Sequence, residues 1–266
     1  MRRFIATLAV AAMLWGALAA PATAITDGAP DGDGHPFVGL MVAQDAAGSP
    51  LWFCSGALIS SKVFLTAGHC TGAPAARVEI WFDADVESRI PGNGFPFDGD
   101  VGGTPITHPK YDPNAFSLYD LGVVILDEPM VMVTYGALPT LNQLDALKTK
   151  RGKQDVTFTA VGYGLQMAFP PPAQWKEHNI FLRMVAHPKL NQVNGGRVGD
   201  SSLLLSANAS TGGACIGDSG GPNFIGSSNV IGGITSFSKN GNCAGTAGVY
   251  RVDRADDLEW LATFPD

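Results

Sequence analysis

Residues 217–222 read Gly-Asp-Ser-Gly-Gly-Pro, a run in which a single serine, Ser219, is flanked by small residues. Composition alone predicts a tight turn here, because glycine, aspartate, serine and proline are all common in turns. A serine hydroxyl is a weak nucleophile at neutral pH, and it becomes reactive when a neighbouring base takes its proton. Ser219 can therefore act as a nucleophile only if another segment of the chain supplies that base.

Two earlier segments carry the residue types that such a serine needs. Residues 65–70, Leu-Thr-Ala-Gly-His-Cys, contain His69, and a histidine that titrates near neutrality can accept the serine proton and later return it. Residues 119–126, Tyr-Asp-Leu-Gly-Val-Val-Ile-Leu, place Asp120 before an apolar strand, where a carboxylate can fix the histidine tautomer. Taken singly, His69 is also explained as a packing or capping residue, and Asp120 as a solvated one.

Together, in the order His, Asp, Ser, the three segments resemble the chymotrypsin-like (trypsin-fold) serine protease family. The resemblance runs from Ile25 to the terminal helix and implies an all-β fold of two antiparallel six-stranded β-barrels with a C-terminal helix. It implies a secreted serine endopeptidase that works through an acyl-enzyme, with His69, Asp120 and Ser219 as catalytic residues. The alternatives are a catalytically silent binding protein on the same fold and a narrow esterase-like or regulatory role.

The same resemblance implies roles for residues around the triad. The backbone N–H groups of Gly217 and Ser219 would form the oxyanion hole, which holds the negative oxygen of the tetrahedral intermediate. Ser236 would hydrogen-bond to Asp120, and the run from Ser236 to Ser238 would pair with an extended substrate backbone.

A different enzyme class also places a serine between glycines. Gly217-x-Ser219-x-Gly221 satisfies the nucleophile elbow of α/β-hydrolases, but that class has its catalytic histidine after the serine. No histidine follows Ser219 in this sequence, and the strand-like runs are not interleaved with crossover helices. The elbow interpretation is therefore excluded.

The primary specificity pocket can be assigned by the same resemblance. The residue six before the nucleophile lies at the bottom of that pocket, and here it is Gly213, which offers no charge to a Lys or Arg side chain. Ser238 and Gly248 map to the pocket walls. We therefore expect small to medium apolar, or aromatic, side chains before the scissile bond.

The start of the chain has the pattern of a secretory signal peptide. Arg2 and Arg3 precede an apolar run at residues 4–18, and Ala-Thr-Ala at residues 22–24 ends it. The run is short for a bilayer span, which disfavours an uncleaved anchor. We expect residues 1–24 to be removed and the protein to be extracellular.

Cleavage after Ala24 would expose Ile25 as the new amino terminus. By the resemblance, such an amine becomes buried and pairs with the aspartate before the catalytic serine, here Asp218. The start Ile-Thr-Asp-Gly keeps the family's first residue and its fourth-position glycine. The alternative is that Ile25 is merely the first ordered residue.

Four cysteines fall into two pairs that are local in sequence. In a chain marked for export this favours two disulfides, with three connectivities formally open, and no Cys-x-x-Cys spacing supports zinc. The family resemblance implies Cys54–Cys70, which would fix the segment bearing His69. It also implies Cys215–Cys243, which would tie the segment before the catalytic serine to the pocket wall.

Composition and spacing set the domain organisation. Short β-type runs punctuated by 33 glycines and 18 prolines predict a mostly β chain, and 45% hydrophobic residues are enough for a sizeable core. We expect an N-terminal barrel at residues 25–137, with His69 and Asp120, and a C-terminal barrel at 138–266, with Ser219. The second domain ends in a helix, for which Asp253 is the expected cap.

The charge balance limits the partners. The chain has 17 basic and 24 acidic residues, and removal of Arg2 and Arg3 leaves 15 against 24, a net charge of −9. Scattered charges with this balance disfavour nucleic acid and anionic membrane surfaces. We expect a monomer with a polypeptide substrate, no membrane contact after signal removal, no cofactor and no metal.

Overall fold

The computed structural model describes residues 25–89, 98–148, 153–169, 172–173, 180–194 and 199–265. The expected signal peptide at residues 1–24 lies outside these ranges. Among the described residues, no helix has the length and apolar character needed to cross a membrane.

The first half of the chain forms a closed six-stranded antiparallel barrel. Its strands are rich in Val, Ile and Leu, and their inward side chains form one buried core. In chain order the strands are β2 (Val38–Gln44), β3 (Pro50–Leu58), β4 (Val63–Thr66), β5 (Arg77–Trp81), β6 (Val101–Thr107) and β7 (Gly122–Leu126), and the barrel order is β2-β3-β4-β7-β6-β5.

Seven strands of the second half, joined by one short strand from the N-terminal segment, form an antiparallel sheet of eight strands. They are β1 (Ala29–Pro30), β8 (Phe158–Gly162), β9 (Met184–Ala186), β10 (Leu190–Val193), β11 (Ser202–Ala207), β12 (Pro222–Ile225), β13 (Ile231–Ser238) and β14 (Gly245–Arg251), in the order β1-β9-β8-β12-β13-β14-β11-β10. The predicted all-β class is confirmed. This second unit differs from a six-stranded closed barrel because β1 extends one edge and β10 forms the other within the described residues.

The described residues contain two short α-helices: α1 (Gly68–Thr71), which carries His69, and α2 (Ala255–Leu261) near the C-terminus. Short 3-10 helices lie at Glu87–Arg89, Pro113–Ala115, Gln143–Leu147 and Gly199–Ser201. The terminal helix was expected, but the expected cap was wrong, because Arg254 occupies the N-cap position without a side-chain hydrogen bond. Asp253 instead pairs with the buried guanidinium of Arg251 and accepts the N–H of Leu144 at 2.8 Å.

Both predicted disulfides are present. Cys54–Cys70 joins β3 to α1 with a Cα–Cα distance of 6.3 Å, and Cys215–Cys243 spans 5.2 Å. The first fixes the segment that carries His69 against its barrel, and the second fixes the segment that precedes Ser219.

A buried ion pair fastens the N-terminal segment to the body of the protein. Arg183, whose side chain is 1% exposed, places Nε 3.0 Å from Oδ2 of Asp31. Its Nη1 also donates to the carbonyl oxygens of Phe82 at 2.8 Å and Val38 at 3.2 Å. Because these acceptors lie at the ends of barrel strands, one guanidinium connects the N-terminal segment, the second sheet and the barrel.

Candidate active site

His69 and Asp120 are brought together by one pair of barrel strands. β4 and β7 are antiparallel with Thr66 opposite Gly122. Helix α1 begins directly after β4, and Asp120 lies just before β7. The antiparallel pairing therefore places both side chains at the same end of the barrel.

Three contacts join these two residues. His69 Nδ1 lies 2.9 Å from Oδ2 and 3.0 Å from Oδ1 of Asp120, and the backbone N–H of His69 donates to Oδ1 at 2.9 Å. Asp120 is fully buried, whereas the His69 side chain is 32% exposed. An ionised carboxylate can only accept, so Nδ1 carries the proton of this hydrogen bond, and Nε2 lies on the opposite side of the ring.

Ser236 reaches the same carboxylate from the second sheet. The register of β13 against β14 shifts between Thr235 and Phe237, so Ser236 occupies an irregular position in the strand. Its Oγ donates to Oδ2 of Asp120 at 2.5 Å. Asp120 is thus held from both halves of the molecule.

Ser219 lies in a turn before β12, half-buried, at the junction of the two sheets. The N–H of Ser55 in β3 donates to the Ser219 carbonyl oxygen at 2.8 Å, and the N–H of Gly220 donates to the Thr235 carbonyl oxygen at 2.7 Å. Ser219 is therefore attached to the barrel on one side. On the other side it lies next to the strand that delivers Ser236 to Asp120.

Residues 215–219 form what we call the serine loop. Gly217 has a φ of +92°, and a side chain there would collide with the ring of Phe53, so both the backbone angle and the space require glycine. The N–H of Leu165 donates to the Ile216 carbonyl oxygen at 2.8 Å. In a trans peptide the C=O and N–H point in opposite directions, so the Gly217 N–H faces away from Leu165.

The two backbone donors predicted for the oxyanion hole are unused within the described structure. Neither the N–H of Gly217 nor that of Ser219 donates to another described group. Two free amides beside a half-buried serine hydroxyl can bind an anionic oxygen.

Asp218 points away from these amides into the protein. Its side chain accepts the N–H of Gly164 through Oδ1 and that of Cys215 through Oδ2, both at 2.8 Å. Complete burial raises the pKa of Asp218 to about 7, against the opposing effect of these two hydrogen bonds. A buried carboxylate with this environment favours a cationic partner.

Ile25 is fully buried against Met184 and the alanines of β8 and β9. The next residue, Thr26, accepts the N–H of Gly213 at 3.0 Å. This pairing attaches the start of the described chain to the segment that leads into the serine loop. The ion pair between the Ile25 amine and Asp218 stays a prediction.

The residues assigned to the specificity pocket lie in a crowded region. A Cβ on Gly213 would lie 2.5 Å from both Cα and Cβ of Ala207, and a Cβ on Gly248 would collide with the ring of Phe237. Ser238 lies opposite Ala247 in the sheet. The role of these three residues in a pocket stays a prediction. At Gly213 and Gly248 the structure has no room for a side chain, so packing alone explains both glycines.

Apolar side chains surround the site. Ile216 in the serine loop is 51% exposed and Phe116 is 50% exposed. The Phe116 ring meets that of Phe237 edge-on, with centroids 5.6 Å apart. A cleft of about 560 Å³ opens beside His69 and is also lined by Tyr111, whose pKa is raised to about 12 by burial. The surface around the base therefore suits an apolar peptide segment.

One group in the described structure has three possible metal-ligand atoms within 4.8 Å of one another: Cys54, His69 and Cys70. The two cysteines form a disulfide, which leaves no thiolate to coordinate an ion. This group is therefore not a metal site.

Sequence reasoning missed Ser55, which contacts the serine loop from the barrel. Its Oγ lies 3.0 Å from the Gly217 carbonyl oxygen. No motif marks Ser55, because its role depends on a contact between segments 162 residues apart. Its position beside Cys54 is the only local hint in the sequence.

The sequence is similar to a known protein family and to individual serine proteases. The sequence profile described as Trypsin matches residues 29–257. Chymotrypsin of Phaedon cochleariae is 28% identical over 237 residues, which cover 86% of this chain and 77% of that protein. Serine protease 1 of Drosophila melanogaster is 26% identical over 243 residues, with coverage of 89% and 84%.

Comparison with solved structures agrees with the fold. The structure described as HL collagenase has a TM-score of 0.67 at 18% identity and covers 90% of this chain and 97% of its own. Human heparin binding protein has a TM-score of 0.61 at 20% identity, with coverage of 87% and 93%. At these identities the likeness establishes the shared fold.

Proposed function

Because the chain belongs to the trypsin family of chymotrypsin-like serine proteases, we propose that this serine endopeptidase uses His69, Asp120 and Ser219 as its catalytic triad. The observation that carries the proposal is the buried Asp120 carboxylate, which holds His69 Nδ1 at 2.9 Å and leaves Nε2 without a hydrogen-bond partner among the described residues. That arrangement is what a general base beside a serine nucleophile requires.

The chemistry follows from this tautomer. His69 Nε2 takes the proton from Ser219 Oγ as Oγ bonds to the carbonyl carbon of the substrate. The imidazolium then gives that proton to the leaving amine as the C–N bond breaks, and an acyl-enzyme remains. Water, deprotonated by the same nitrogen, then bonds to the acyl carbon. The imidazolium returns that proton to Ser219 Oγ as the bond between Oγ and carbon breaks, which releases the acid. Asp120 stabilises the imidazolium in both steps.

The oxyanion formed in each step is assigned to the N–H groups of Gly217 and Ser219. Support comes from the absence of another described acceptor for either group and from the direction of the Ile216–Gly217 peptide. Fixed donors of this kind need no reorganisation when charge develops on the substrate oxygen.

Substrate selection is assigned to the uncharged pocket and its apolar surroundings. Gly213 offers no carboxylate, and Ala207 occupies the space into which a side chain at Gly213 would extend. The strand from Ser236 to Ser238 is proposed to pair with the substrate backbone. We expect cleavage after apolar or aromatic residues rather than after Lys or Arg.

Processing is assigned to the junction at residues 22–25. Removal of residues 1–24 would export the protein and expose the Ile25 amine, which then pairs with Asp218. The mature chain would be an extracellular monomer, with domains at residues 25–137 and 138–266. Burial of Ile25 and of Asp218 supports this step.

Titration with a serine-directed phosphonate tests the proposal. The mature wild-type protein should be labelled with one equivalent and should hydrolyse peptides, and Ser219→Ala should lose both properties. Ser228→Ala, the same change at an exposed serine, should keep both. Wild-type protein that is folded yet inert to the phosphonate and to a peptide library would instead identify a silent binding protein.

A further inference from the structure

We propose that Ser55 is a positioning residue that holds the serine loop in register with the catalytic base. The inference rests on the proposed function, because it concerns the same active site. Ser55 lies in β3 of the barrel, directly after Cys54, and is completely buried.

Ser55 contacts both residues whose N–H groups are assigned to the oxyanion hole. Its N–H donates to the Ser219 carbonyl oxygen at 2.8 Å, and its Oγ lies 3.0 Å from the Gly217 carbonyl oxygen. The Gly217–Asp218 and Ser219–Gly220 peptide groups, which flank the peptide that bears the Ser219 N–H, are therefore attached to a single barrel residue. Rotation of the loop would break at least one of these bonds.

The direction of the hydroxyl bond is set by a third group. The N–H of Tyr163 donates to Ser55 Oγ at 3.0 Å. An N–H can only donate, so the hydroxyl accepts there and uses its own proton for the Gly217 carbonyl oxygen. Both capacities of the hydroxyl are used, and an alanine would leave two buried polar groups unpaired.

Ser55 also connects to the segment that carries the base. Its carbonyl oxygen accepts the hydroxyl of Thr66 at 2.8 Å, and His69 follows Thr66 by three residues. The hydrogen bonds that Gly164 and Leu165 donate to the serine loop come from the segment that follows β8 of the second sheet. Ser55 is thus the described residue that fixes the loop relative to the barrel bearing His69 and Asp120.

Ser55→Ala tests this role in the mature protein. With a peptide ester substrate, kcat should fall by about tenfold or more while KM stays within about twofold, because misplaced donors weaken binding of the transition state alone. The midpoint of the pH profile should not move, because Asp120 and His69 keep their contacts. Affinity for a peptide aldehyde, which forms a tetrahedral adduct, should fall in parallel with kcat/KM.

Thr159→Val is the matched control. Thr159 is a buried residue of β8 whose hydroxyl donates to the Gly226 carbonyl oxygen at 2.7 Å, away from the serine loop. It should keep wild-type kcat even if stability falls. Equal loss of kcat in both variants, or a change in KM alone for Ser55→Ala, would overturn the proposal.

Two further measurements cover the remaining cases. If Ser55→Ala fails to fold, Ser55→Cys keeps the shape with a weaker donor and should lower kcat with unchanged KM; wild-type kcat would overturn the proposal. The Asp218 and Gly221 amides donate to the Cys215 and Asp218 carbonyl oxygens, and their hydrogen exchange should be faster in Ser55→Ala than in Thr159→Val. Because exchange needs no turnover, unchanged exchange would reject the positioning role, whereas an inert wild-type enzyme would reject the proposed function.

Discussion

Ser236 Oγ donates to Oδ2 of Asp120 at 2.5 Å, and the two residues belong to different halves of the molecule. The same carboxylate accepts the ring and backbone N–H groups of His69 from the barrel side. A fully buried carboxylate stays ionised only when donors of this kind hydrogen-bond to it. The contact therefore joins the two sheets at the residue that holds the His69 imidazole.

The first prediction concerns this shared carboxylate. Ser236→Ala should lower kcat/KM by about ten- to a hundredfold, because one hydrogen bond to a charged group is lost, and Asp120→Asn by about 10⁴-fold, because the amide imposes the wrong tautomer. Steady-state kinetics on a peptide ester measure both changes. Ser202→Ala, at an equally buried serine of β11, is the control; wild-type kinetics for Ser236→Ala would show that Asp120 needs only the barrel donors.

The resemblance of the motifs to a known family predicted the contact between His69 and Asp120, and the structure forms it at the ends of two paired strands. The disulfides were predictable for a similar reason, since each cysteine lies beside a motif. These features need only local pattern and the resemblance to a known family. Ser55 could not be identified in this way, because its partners are backbone groups, which leave no mark on the sequence.

Asp253 binds Arg251 instead of capping the terminal helix, so a tertiary contact overrides the local sequence pattern. Its spacing before the terminal helix is typical of a capping residue. The neighbouring Arg251 is fully buried, however, and a buried guanidinium requires a carboxylate more than a helix end requires a cap. The sequence shows both residues but not the burial that decides between the two interactions.

The second prediction concerns stability and follows from that pair. Asp253→Ala should lower the free energy of unfolding by about 3–5 kcal/mol, because Arg251 would lose its buried carboxylate partner and keep only Asp145, whose side chain is 40% exposed. Asp127→Ala should cost less than about 1 kcal/mol, because its ion pair with Arg77 is half exposed. Urea unfolding of both variants measures the difference. Equal costs would mean that Asn194 and Asp145, which also bind Arg251, compensate for the lost carboxylate.

The third prediction concerns substrate selection. The wild-type enzyme should cleave after apolar or aromatic residues far better than after Arg, because burying an unpaired cation costs a few kcal/mol, roughly a hundredfold or more in rate. Gly213→Asp should not create efficient cleavage after Arg, since its Cβ would lie 2.5 Å from Ala207. Cleavage of a peptide library, analysed by mass spectrometry, measures the preference of the wild type and of the variant.

The control for this variant is Gly241→Asp, where nothing lies within 4 Å of the added Cβ. It should fold and cleave as the wild type does. Efficient cleavage after Arg by Gly213→Asp would show that Ala207 moves aside and that the assigned pocket is open beneath Gly213.

The last prediction concerns Asp218 and the amino terminus. Burial raises the pKa of Asp218 from its ordinary 3.8 to about 7 in the chain that continues before Ile25. A raised pKa gives stability that is fully present below pH 3.8 and is lost as pH rises through about 7. Protein made with extra residues before Ile25 should therefore lose stability across this window, as measured by urea midpoints. Asp218→Asn in the same extended protein should remove that part of the pH dependence.

Protein that begins at Ile25 should behave differently, because its ammonium would pair with Asp218 and lower the pKa of the carboxyl. Its stability should not fall between pH 4 and 7 on account of this group, and its turnover should exceed that of the extended form by orders of magnitude. Acetylation of the Ile25 amine should restore the pH dependence of the extended form and abolish the gain in turnover. Identical pH profiles and equal turnover for the two forms would show that Asp218 is stabilised by the Gly164 and Cys215 N–H groups alone. Removal of residues 1–24 would then not activate the enzyme.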